Sequence, residues 1–119
     1  MGLDGDSKME TNLTGYAKAM AGKHDEFIKY DNDKPMMSLL EPDFIEGMAK
    51  VLTMGAKKYS KDNWKLCEDK SRYEDALYRH MNEYLKGREF DTESELPHLA
   101  HVAVNAMFLQ YFIDEGFRK

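Results

Sequence analysis

Three of the four histidines, His80, His98 and His101, fall close together in the chain, on a largely apolar background. His98, His101 and Asn105 follow an i, i+3, i+7 spacing, which on a helix makes one polar stripe. His80 shares a face with Ala76 and Tyr84 on a preceding segment, and Glu83 lies one turn further along the same edge. If these two segments pair antiparallel, imidazoles and a carboxylate surround one interior pocket. Burying several polar groups is costly unless something satisfies them. The pattern therefore points to a divalent-metal or phosphate site between helices. The plain alternative is a set of interhelical hydrogen bonds among His80, His98, His101 and Asn105, with no ligand.

The carboxylates and lysines extend this picture. Glu74, Asp75 and Glu83 accompany His80, while Asp91, Glu93 and Glu95 surround the approach to His98. Asp75, Arg79 and Glu83 are spaced i, i+4, i+8, as in a salt-bridged solvent face. Glu95 precedes His98 by three residues, at the mouth of the expected pocket. Oxygen ligands of this kind suit Mg²⁺ or Mn²⁺ alongside substrate phosphates, and no Cys/His spacing fits a structural zinc site. Lys57, Lys58 and Lys61 flank Tyr59, with Lys34 upstream. These lysines could neutralise phosphate charge while Tyr59 or Trp64 stacks on a base. The competing description is a solvated helix end with Trp64 as a core plug. No P-loop, dinucleotide-binding glycine motif or nucleophile elbow is present.

Helices must position these groups. Pro42 suits a first helical turn, where its missing N–H costs nothing. Phe44, Ile45, Met48, Leu52 and Ala56 then keep helical spacing to about Tyr59. Ser71-Arg72-Tyr73-Glu74 reads as a capping box opening a second helix, with Tyr73, Ala76, Leu77, Met81, Tyr84 and Leu85 on its apolar side and Gly87 as its stop. Thr92-Glu93-Ser94-Glu95 reads as another capping box, followed by a third helix from near Pro97 to Ile113 that is apolar on most sides. No segment alternates as a hairpin strand does. The expected fold is all-α, a small bundle of three main helices.

Composition narrows the rest. The chain has 119 residues, 42% hydrophobic and 33% charged, and its 17 Lys+Arg against 22 Asp+Glu give a net charge of −5. This suits one small domain, expected over 34–119, after a partly ordered, glycine-bearing arm over 1–33. A net negative charge disfavours a nucleic-acid polymer as the main partner. The lone Cys67 cannot form an internal disulfide, and there is neither a secretory signal pattern nor an apolar run long enough for a membrane. A reduced, cytoplasmic setting is expected. Three helices with nine methionines and many aromatics leave more apolar surface than so short a chain covers. A second copy should complete the bundle, as a dimer or a larger homo-oligomer such as a tetramer.

A family resemblance follows from the ordered strings Lys34-Pro35, Leu39-Leu40-Glu41-Pro42, Gly55-Ala56-Lys57-Lys58-Tyr59 and Asn63-Trp64. It continues through Arg72 to His80, Gly87, Asp91, Ser94, Leu96-Pro97-His98-Leu99-Ala100-His101 and Asn105-Ala106. Over about residues 29–113 the chain resembles the phage dATP/dGTP diphosphohydrolase N-terminal-domain family, which is itself similar to MazG-like all-α nucleotide pyrophosphohydrolases. The resemblance implies a multi-subunit helical bundle in the host cytosol that cleaves a purine deoxynucleoside triphosphate to monophosphate and pyrophosphate with Mg²⁺ or Mn²⁺. By position, it implies that the second helix offers Asp75, His80 and Glu83, and the third His98, His101 and Asn105. On that match, the expected catalytic residues are Glu83, His80 and His98, and metal ligands are drawn from Glu83, Asp91, Glu95, His98 and His101. Lys34, Lys57, Lys58, Tyr59, Lys61, Asn63, Trp64, Arg79 and Asn105 would then contact substrate. The acidic pairs of the wider superfamily are absent, and Glu95-Leu96-Pro97-His98 is the nearest approach to one of them. That departure motivates the rival expectation of a protein that binds a nucleotide without turning it over.

Overall fold

A computed structural model describes residues 25–118. The chain divides into two compact units between Leu39 and Leu40. The described part of the first holds a turn closed by Lys34 N–H on the Asp31 carbonyl (3.2 Å) and a short 3-10 turn at Met37–Leu39. Residues 1–24 of the expected arm lie outside the described residues.

The second unit contains three α-helices: α1 (Pro42–Lys58), α2 (Ser71–Leu85) and α3 (His98–Arg118). Among the described residues there is no strand, only an isolated antiparallel bridge between Phe90 and Pro97. The all-α expectation holds. Among the described residues, no helix is long and apolar enough to cross a membrane.

α1 starts as its sequence implies, with Pro42 in the first turn and the Glu41 carboxylate accepting from Asp43 N–H at 3.0 Å. Its half-buried stripe is Gly47, Met48, Val51, Leu52, Gly55 and Ala56, so Phe44 and Ile45 stay more exposed than their spacing suggests. Gly47 lies where a methyl group would sit 3.6 Å from the Ala100 side chain, so small residues let α1 approach α3 closely.

Both capping boxes give way to other devices. Ahead of α2 the acceptor is Asp69, which takes Ser71 N–H at 3.1 Å and the Ser71 hydroxyl at 2.7 Å. A carboxylate is the stronger acceptor there and also suits the positive helix end. Before α3, residues 91–96 form a tight reversal with Glu95 in the left-handed region (φ 62°). Asp91 N–H donates to the Leu96 carbonyl at 2.8 Å, and Glu95 N–H to the Asp91 carbonyl at 2.7 Å. Glu95 is therefore not in helical register with His98, and its side chain is exposed. The Gly87 stop is as expected. With φ 91° it makes a Schellman turn in which Gly87 N–H reaches the Tyr84 carbonyl (2.9 Å) and Arg88 N–H the Glu83 carbonyl (3.0 Å).

α3 packs on both α2 and α1. Toward its far end Trp64 stacks on Phe108 (centroids 4.3 Å) and meets Tyr111 edge-on (5.0 Å). Tyr73 donates its hydroxyl to the Trp64 carbonyl at 2.9 Å, which ties the intervening loop to α2.

Candidate metal and phosphate site

Among the described residues, the most enclosed part is the first half of α3, and much of it is polar. His98 is 4% exposed and Asn105 7%; His101 is buried too, beside Ala100 and Val104. The α2–α3 reversal sets their surroundings. His98 N–H donates to the Glu89 carbonyl at 2.9 Å, which anchors the first residue of α3 to the chain leaving α2.

His80 of α2 meets His98 of α3 as antiparallel pairing demands, with the two Nδ1 atoms 2.8 Å apart. Only one of these nitrogens can carry the proton between them, so one ring donates and the other accepts. His80 also stacks on His101 with centroids 4.2 Å apart and planes 7° from parallel. Asp91 closes the group from the reversal. Donor atoms of His80, Asp91 and His98 all lie within 4.8 Å of one another, a spacing that could hold a metal ion. Two imidazoles and one carboxylate fit a borderline first-row cation better than Mg²⁺, which prefers oxygen.

The surroundings favour the neutral form of two of these imidazoles, His80 and His101. Burial is the main cause that lowers His80, to about 4; the His101 ring adds to it and the Asp91 charge opposes it. His101 is lowered by burial too, again against Asp91. At 3.9 Å, Asp91 and His101 are therefore a polar contact and not an ion pair at neutral pH. Burial alone would raise the Asp91 carboxyl. Hydrogen bonds from Ser94, together with the nearby His101 and His80 rings, outweigh it and hold the group below its ordinary value.

Ser94 is the residue that spacing did not reveal as part of the site. Its N–H donates to the Asp91 carboxylate (2.8 Å), and its hydroxyl shares a 2.8 Å hydrogen bond with His101 Nε2 while accepting Leu96 N–H at 3.1 Å. The signal lay in Asp91-x-x-Ser94, an aspartate followed at three residues by a partner for its side chain.

The other expected residues lie elsewhere. Glu83 is bound to Arg88 (2.8 Å) and Lys86 (3.5 Å), which lower its carboxyl and draw it away from the histidines. Asn105 donates to the carbonyl of His101 (2.8 Å), within its own helix. Arg79, Lys57, Lys61 and Asn63 are exposed, and Lys34 belongs to the first unit. Lys58 pairs with Glu93 at 3.6 Å, which brings one lysine to the reversal that carries Asp91. Tyr59 is exposed beside Lys58, whereas Trp64 is engaged by Phe108, Tyr111 and Phe112.

Fold and site together define an all-α domain with an interhelical cluster of histidines and an aspartate. The chain belongs to the dATP/dGTP diphosphohydrolase N-terminal-domain family, which matches residues 25–119. A dATP/dGTP diphosphohydrolase of Salmonella phage PMBT28 is 38% identical over 87 residues, covering 73% of this chain and 30% of the relative. The chain thus spans less than a third of that relative's length. No solved structure matches it.

Proposed function

We propose that this domain binds a purine deoxynucleoside triphosphate, dATP or dGTP, and cleaves it to the monophosphate and pyrophosphate with a divalent cation, Mn²⁺ in preference to Mg²⁺. The observation that carries this reading is the convergence of His80, Asp91 and His98 on one point between two helices. Family membership and the phage relative, a dATP/dGTP diphosphohydrolase, support a purine deoxynucleotide substrate and its hydrolysis.

His80, Asp91 and His98 would hold the cation. When bound, it supplies charge neutralisation at the phosphates and a more acidic water. Ser94 and His101 keep Asp91 and the His80 ring in place. Lys58, with Lys57 and Lys61 at the same end of α1, lies on the reversal side of the cluster, where its charge meets the leaving pyrophosphate. Self-association would cover exposed apolar side chains such as Leu66, Leu85 and Ile113.

The test is pyrophosphate release from dGTP and dATP with Mn²⁺ by the wild type, H80A, H98A and E83Q. Loss in the two histidine variants and retention in E83Q is expected. Activity that survives loss of either histidine overturns the assignment. One observation favours the rival, nucleotide binding without turnover. Asp91 is the single carboxylate in the cluster, because Glu83 is held by Arg88 and Lys86. Tight dGTP binding with intact nucleotide recovered would establish that rival.

A further inference from the structure

A cleft of about 310 Å³ opens near the start of α3, lined in part by Phe44 of α1, Tyr84 of α2, and Pro97 and Leu99 on either side of His98 in the chain. Arg88 and Glu89 also line it. Resting on the nucleotide reading above, we propose that this cleft is the base-binding subsite, where a purine is held between apolar and aromatic walls.

Its size is at the small end for ligand pockets and admits a base with its sugar, not a whole triphosphate. Phe44 is 42% exposed and Tyr84 44%, although both are large and apolar-bodied. Exposed rings lining one cleft provide the stacking surface that every base offers a face to. Position relative to the histidines matters as much. Tyr84 follows His80 by four residues, about 6 Å of rise along the same helix face. That is close to the span a deoxyribose puts between its phosphate and its base. Glu89 is tied to His98 through their backbone hydrogen bond (2.9 Å).

The polar lining suits a purine edge. A carboxylate such as Glu89 accepts from the N1–H and amino group of guanine or the amino group of adenine, and a guanidinium such as Arg88 donates to ring nitrogen or carbonyl acceptors. At the other end of α1, Lys58 lies about 21 Å from Phe44 by helical rise, a length comparable to an extended nucleoside triphosphate. Base, cation cluster and lysine would then lie in sequence along one ligand. Trp64 is already occupied by its own aromatic neighbours, so the base has its platform in the cleft and not in the Trp64 loop.

Calorimetry on the full chain with Mn²⁺ tests this, using a non-hydrolysable α,β-methylene dGTP and, as a base-free probe, inorganic tripolyphosphate. F44A and Y84L alter exposed side chains, so both should fold. Each is expected to weaken the dGTP analogue about tenfold, the share of one stacked ring, and to leave tripolyphosphate within about twofold. E89Q should narrow the preference between the guanine and adenine analogues. If the analogue binds wild type and variants alike, or if both probes weaken equally, the cleft is not the base site. A change of sedimentation in F44A with unchanged nucleotide affinity would make it a self-association surface and overturn the proposal. If the wild type binds neither probe, the nucleotide reading fails and the cleft fails with it.

Discussion

Acidification should destabilise this domain through His80. Its imidazole is held at about 4 by burial, against an ordinary value of 6.5. The folded state therefore resists a proton that the unfolded chain accepts. Stability is intact above about pH 6.5, falls as pH drops through the interval, and levels off below about pH 4. For one site with these values, moving from about pH 7.5 to about pH 5 costs roughly 2 kcal/mol before screening. His80 is only partly enclosed, so about 1 kcal/mol is the realistic share. His101 is shifted the same way and adds to the loss. Asp91 is lowered from an ordinary value of 3.8 and so titrates beneath this window. Urea unfolding followed by Trp64, the single tryptophan, in the presence of a chelator, measures the effect in wild type and H80Q. The wild type should lose about 1 kcal/mol more than H80Q between the two pH values. Equal losses, or an NMR titration of His80 near its ordinary value, would refute the reasoning.

Other perturbations probe the frame around the site. W64A removes the ring packed on Phe108 and Tyr111 and should cost about 3 kcal/mol in thermal or urea unfolding, while W64F should keep nucleotide affinity. G87A forces a side chain into φ 91° and should lower stability by about 1–2 kcal/mol, read as a drop in Tm. Tyr73 is pushed up to about 12, chiefly by burial. Stability that depends on its neutral phenol should be present below about pH 10 and lost as pH rises through about 12; Y73F should flatten that alkaline loss. S94A should weaken Mn²⁺ binding severalfold by freeing the His101 ring, with S94T restoring part of it, both read by calorimetry.

Apolar spacing from Met48 to Ala56 and from Tyr73 to Met81 made α1 and α2 legible, because tertiary packing uses the same stripe that the sequence displays. The histidine pairing was legible for a related reason. Once His80 and the stripe of His98 and His101 are assigned to antiparallel helices, geometry brings them together. What spacing could not reveal was chain reversal. Residues 92–95 look like a helix start, yet the left-handed Glu95 and the Asp91–Ser94 turn spend those groups on a hairpin. That hairpin supplies Asp91 and withdraws Glu95. Glu83 shows the complementary case, since helical spacing aims it toward His80, but the turn at Gly87 returns Arg88 to claim it.

Ala100 and Val104 are the only fully enclosed apolar residues among those described, and imidazoles and an amide fill the rest of that space. Unfolding a single copy thus uncovers comparatively little oil-like surface. Its heat-capacity increment should fall below the usual ~12–15 cal/mol/K per residue. Such a chain has a shallow stability curve, and it would respond to cooling far less than to whatever occupies its polar interior.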